Sequence, residues 1–153
     1  MISAHKDAIL ARLREHPALT NVIDGAVDPD AAPVKAPYLV VYMDSGKRSV
    51  DRFSGITPTQ ADFRITCISV GVDVTQAEYF TECVMSQLLG GWVPAVNGWN
   101  PTAIQHQRSS PPQTDKSVNP ATQYISDVFS MTTRTGDYTP GGLLYPSPNL
   151  FPQ

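Results

Sequence analysis

Apolar and polar residues fall along this chain in three kinds of pattern. Ser3 to His16 has a helical one: Ile2, Ile9, Leu10 and Leu13 share a side, with Lys6, Arg12, Arg14 and Glu15 elsewhere. Ser3 is the candidate N-cap and Pro17 the stop. Leu19 and Val22 carry the apolar contacts through a short turn, and Asp28 to Pro37 is a proline-punctuated loop. A second helix is expected from Val74 to about Leu89, with Ala77, Phe80, Val84 and Leu88 recurring at its spacing. Two starts compete there, Thr75 with Glu78 and Asp73 with Gln76, and Gly90-Gly91 supplies the stop.

Strand patterns fill much of the rest. Tyr38 to Met43 (YLVVYM) is a nearly continuous apolar run and reads as a strand buried on both faces. Asp44-Ser45-Gly46 carries turn chemistry, after which Lys47 to Phe53 reads as a weaker return strand, an edge or an arm, and Ser54 to Pro58 as a loop. Asp62 to Val70 alternates, with Phe63, Ile65 and Cys67 facing one way and Arg64, Thr66 and Ile68 the other. Asn97-Gly98 within Trp92 to Arg108 suggests a hairpin, restricted by Pro94 and Pro101. Ser109 to Pro120 reads as a long polar loop. Tyr124 to Arg134 is a final strand with Ile125, Phe129 and Met131 on one face. No internal repeat is present.

These elements predict an α+β fold, a small twisted, mostly antiparallel sheet with two main helices packed on one face. One domain is expected over residues 1–136. Residues 137–153 (DYTPGGLLYPSPNLFPQ) form a Pro/Gly-rich extended arm, in which four prolines exclude a helix or central strand. That arm still carries Tyr138, Leu143, Leu144, Tyr145, Leu150 and Phe151, which gain by leaving water. It therefore needs a surface to lie on, either its own domain or another subunit.

Composition narrows the function classes. A net charge of −3 with 16% charged residues lacks the basic surplus that nonspecific nucleic-acid binding uses. Two cysteines do not make a disulfide framework. The N-terminus reads as no signal peptide, and no apolar run approaches a membrane span, so a soluble protein made in a reducing cytoplasm is expected.

Candidate chemistry is sparse. His5, His16 and His106 lack metal-ligand spacing. His5 and His16 are expected to face solvent on the first helix, and His106, in a strand, has no nucleophile assigned to it. Cys67 and Cys83 read as small buried apolar groups, Glu78 and Glu82 as a solvated stripe, and the glycines as turns rather than phosphate loops. No catalytic, cofactor-binding or metal residue is assigned, and no cofactor. Lys47, Arg48 and Arg52, tipped by Phe53, are either a charge-protected hairpin edge or a projecting arm. Trp92 and Trp99 are expected in core or hairpin packing, or one of them as an anchor for a partner.

The order of elements resembles the tail terminator proteins of long-tailed bacteriophages (siphoviruses), especially those infecting actinobacteria. The matching stretches are HPALTNVIDG, PYLVVYMDSG, KRSVDRFSG, DFRITCISVGVDVTQAEYFTECVMSQLLGG, VNGWNPTAIQHQRSSPPQTDKSV and QYISDVFSMTTR, covering about residues 1–135. The resemblance implies a non-enzymatic virion protein that assembles in the host cytoplasm into a homohexameric ring. Such a ring caps the tail tube, stops its polymerisation and meets the head-tail connector, with DNA passing through the lumen without sequence-specific binding. Its partners would be itself, the tail tube protein and the connector or neck proteins, with no membrane. The candidate subunit or tube interface comprises Lys47, Arg48, Arg52 and Phe53, with Leu143, Leu144, Tyr145, Leu150 and Phe151 added from their own apolar chemistry, since the arm lies outside the matched stretches. The loops Asp44 to Gln60 and Ser109 to Pro120 are further candidates. Two alternatives stand beside it: another neck component (a head-closure or connector-adaptor protein), and, more remotely, a small hydrolase or thiol enzyme using His106 and Cys67.

Overall fold

The computed structural model describes residues 2–25, 35–50, 58–118 and 120–135. It is α+β as expected: two helices and a seven-stranded, mostly antiparallel sheet. The elements are α1 (Ile2–Arg14), β1 (Val22–Asp24), β2 (Tyr38–Val50), β3 (Pro58–Gly71) and α2 (Val74–Leu88), then β4 (Trp99–Pro101), β5 (Gln105–Ser109), β6 (Gln113–Asp115) and β7 (Thr122–Thr135). The sheet runs β1-β2-β3-β7-β4, and β5 and β6 also pair with β7. Only β1 is parallel to its neighbour, β2.

Alternation along the three long strands decides where the core sits. Leu39, Val41 and Met43 on β2, Ala61, Phe63, Ile65 and Cys67 on β3, and Ile125, Phe129 and Met131 on β7 are all buried. These side chains, Ile125 apart, form one core with Ile9, Leu10 and Leu13 of α1 and Phe80, Val84 and Leu88 of α2, and Ala77 is buried as well. Each fully buried Leu, Ile or Phe contributes about 1.5–3 kcal/mol by removal from water. The sequence reading of YLVVYM as buried on both faces is wrong: Tyr38 and Val40 are half-buried and Tyr42 is 44% exposed. Both helices contact the same side of the sheet through that core, so the run is apolar on both faces but covered on one.

The strands are also longer than predicted. Asp44-Ser45-Gly46 makes no turn, and β2 runs straight through it, paired with β3 from Tyr38↔Val70 to Val50↔Pro58. An irregularity between Gly46 and Lys47, both opposite Asp62, absorbs the extra residue. Asn97-Gly98 does form a turn, with Gly98 at φ +81° and Trp99 N–H donating to Val96 O at 3.1 Å, but no hairpin follows. Instead β4 and β5 each pair with β7, and the predicted loop after Ser109 contains β6, paired with β7 as well.

Helix ends follow from local chemistry. Asp73 caps α2, its carboxylate accepting from Gln76 N–H at 2.8 Å, while Gln76 Oε1 accepts from Val72 N–H at 2.8 Å. Of the two competing starts, Asp73 with Gln76 is therefore the one used. Gly90, at φ +91°, lets the chain leave α2 in a backbone conformation that side chains resist. Gly71 has a different reason: a Cβ there would meet Ala77 N at 2.7 Å, so the end of β3 and the first turn of α2 approach only without a side chain. At α1 the expected cap fails, because Ile2 is already helical and Ser3 lies within the first turn.

The polar face of α1 ties the helices to each other and to β1. Arg12 Nε donates to Gln87 O at 2.9 Å, Gln87 Nε2 donates to Arg12 O at 2.6 Å, and the guanidinium sits 5.3 Å from the Trp92 ring centroid. Lys6 pairs with Asp24 of β1 at 2.9 Å, with both side chains largely buried. Replacing Asp73 with Ala is expected to cost about 1 kcal/mol and lower Tm by roughly 3 °C, read from a thermal melt. An unchanged melt would mean that the cap adds nothing.

Candidate functional site

Among the described residues four polar side chains are buried, His5, Ser69, Asp127 and Thr133, of which two are titratable. His5 is 0% exposed, against the expectation that it faces solvent. Its Nε2 lies 3.0 Å from Thr133 Oγ1, and its ring packs 4.9 Å from Phe63 and edge-on to Trp99 at 5.9 Å. The spacing His5, Ile9, Leu13 was the available signal: four-residue steps put His5 in the apolar stripe. His16 is half-buried and equally occupied, its Nδ1 accepting from Ala18 N–H at 3.1 Å.

The second titratable one is Asp127, 0% exposed on the inward face of β7. Its Oδ1 accepts the Ser109 hydroxyl and lies 3.4 Å from His106 Nε2, and His106 Nε2 is 3.0 Å from Ser109 Oγ. The structure thus gives His106 a serine and an acid that spacing alone did not suggest. The residue types are those of a hydrolase, but the wiring is not. In a hydrolytic triad the imidazole stands between the other two, using a different ring nitrogen for each. Here serine and aspartate share one nitrogen, and the serine hydroxyl is already donated to the carboxylate. The cluster ties β5 to β7 through a buried charge.

Cys67 lies opposite Asp127 in the β3–β7 register and, like Cys83, is a free, buried thiol. Burial, and then the nearby Asp127 charge, push its pKa well above the ordinary thiol range. Buried Asp127 Oδ2 and Ser69 Oγ have no hydrogen-bond partner among the described residues. Among those residues, no group of three or more His, Cys, Asp or Glu side chains is placed to hold a metal. No helix there is long and apolar enough to cross a membrane.

What remains is surface, and strand register sorts it into two ends. At one end, Val50 and Pro58 close the β2–β3 pairing, Gln60 stands opposite Arg134, and Arg134 opposite Asn100. The last described residues of β2 and β7, the first of β3 and the β4 strand therefore share this end. Of the predicted interface residues, Lys47 and Arg48 lie here, with their backbone paired to Asp62 and Ala61 rather than free as an arm. Arg52, Phe53, Leu143, Leu144, Tyr145, Leu150 and Phe151 lie outside the described residues. At the other end, near Val70, Gly71 and Asp115, the exposed apolar side chains Val72, Val74 and Val118 gather.

Comparison with solved structures matches this architecture to a chain from the virion of a native gene transfer agent particle. The TM-score is 0.61 at 17% identity, over 87% of this chain and 97% of that one. The chain shares the fold of a virion component. A second solved structure, which carries only a sequence identifier, matches with a TM-score of 0.51 at 13% identity, over 90% of this chain and 94% of that one. No protein-family model matches the sequence. No curated protein matches it either.

Burial of the thiols gives a direct test of the thiol chemistry. A thiol whose folded pKa is raised favours the folded state up to the ordinary thiol range, and that contribution is lost as pH climbs above it. Native protein at pH 8 is accordingly expected to react with Ellman's reagent at neither Cys67 nor Cys83, and at both in 6 M guanidinium. Rapid native labelling of Cys67 would show the thiol to be accessible after all.

Proposed function

We infer that the chain is a structural protein of a phage-like virion, acting as a tail terminator. It assembles as a ring, six-membered by the family resemblance, that caps the tail tube, stops its growth and forms the tail side of the head-tail interface. The observation that carries this reading is the fold match to a gene transfer agent virion chain, nearly complete over both chains. The order of sequence motifs described above supports it independently, and points to the terminator among virion proteins.

The surface supports the reading too. A head-to-tail ring requires two unlike surfaces on each subunit. This chain offers an end built from strand termini and an apolar loop, and an opposite end bearing Val72, Val74 and Val118. The side-chain chemistry supports a structural role as well, since the serine–histidine–aspartate grouping among the described residues is wired as a strand tie. Its partners on this account are further copies of itself, the tail tube protein and the connector or neck proteins. DNA crosses the lumen without base-specific contacts.

Deleting the gene from its phage separates the terminator from the other neck roles. Loss of a terminator is expected to give overlong or uncapped tails in electron micrographs. Tails of normal length that fail to join heads would overturn the assignment in favour of a head-closure or adaptor protein.

A further inference from the structure

Between α2 and β5 the chain folds around a shallow groove of about 570 Å³. Val93, Pro94, Ala95, Val96, Trp99 and Pro101 supply its apolar lining, Asn97 and Asn100 a polar part of similar extent, and nothing in the Val93–Pro101 segment is charged. Val93 is 41% exposed, and Trp99 is half-buried with its edge against His5. This volume lies within the range of ordinary ligand pockets, roughly 300–1,000 Å³.

Where the chain goes next selects the occupant. Trp99, on the groove wall, is the register partner of Thr135, the last described residue of β7. Thr135, the residue from which positions 136–153 follow, therefore lies at the rim of the groove. That continuation carries one acid and no base, so it brings almost no charge to an uncharged surface. Tyr138 follows three residues after Thr135, within about 10 Å of reach, and Leu143 to Tyr145 within about 35 Å. Pro140 and Pro146 fix φ at their own positions and disfavour helix in the residues before them. A tether this short gives an effective concentration on the order of millimolar, which a separate copy must exceed to compete.

We propose that the Val93–Pro101 groove is the docking site of the chain's own C-terminal segment, anchored by Tyr138 and the Leu143–Tyr145 cluster. Docking covers the apolar surface that the short β4 edge leaves open and fixes the segment at the end of the sheet where Val50 pairs with Pro58. It is independent of the ring assignment, because it takes place within one chain.

Trp99 is the reporter. In a Trp92→Phe background it is the sole tryptophan, and three proteins are compared: the full chain, the chain ending at Thr135, and the full chain carrying Tyr138→Ser with Leu144→Ser. Emission and acrylamide quenching are followed from dilute monomer to concentrations at which the protein assembles. Docking predicts that truncation and the double substitution each red-shift Trp99 and increase its quenching, equally at every concentration. If the truncated chain does not fold, the double substitution alone carries the comparison. Identical spectra for the full chain and the variants would overturn the proposal. So would a difference appearing only on assembly, which would mean that the segment crosses to a neighbouring copy.

Discussion

The structure depends on β7 having both of its edges occupied. From Gln123 to Arg134 its backbone pairs with β3, and on its other side it takes β6, β5 and β4 in turn. Three short strands that have little apolar pattern of their own are held by that one ladder. The inward side chains of β7, from Ile125 through Asp127, Phe129 and Met131 to Thr133, then meet the layer that the helices cover. An unpaired buried backbone group costs as much as a lost hydrogen bond, so a long central strand in effect requires the segments that flank it.

Two of the buried polar groups belong to the same strand. Asp127 and Thr133 both point into the core from β7, and each is met by a histidine from another element, His106 from β5 and His5 from α1. Because a buried polar group is costly without a partner, these pairs accept only one register for β5 and one seating for α1. A purely apolar layer would tolerate slippage that this one does not. The grouping whose residue types are those of a hydrolase therefore specifies packing.

Much of this was legible in the sequence where one period dominated. The alternation of Phe63, Ile65 and Cys67 and the helical spacing of Ala77, Phe80, Val84 and Leu88 led directly to β3 and α2. Other features depended on partners far along the chain. Val22–Asp24 becomes a strand only because β2 lies beside it, and Gln113–Asp115 only because β7 does. Asp44-Ser45-Gly46 has turn chemistry, yet the ladder to β3 overrides it. His5 was misjudged because histidine was read as polar rather than by its place in the stripe with Ile9 and Leu13. The cluster of His106, Ser109 and Asp127 needed the β5–β7 register, which no local pattern contains.

On the proposed reading, function lies at the ends of this sheet rather than in a pocket of reactive groups. The chain shares its fold with a virion chain, has two unlike ends and carries a strand-tied polar core. The most direct measurement is an averaged electron-microscopy image of the virion neck, with this chain located by a specific label and its copies counted. A ring of six seated on the last ring of the tail tube is the predicted result. A label found elsewhere in the particle, or copies that do not close into a ring on the tube, would contradict it.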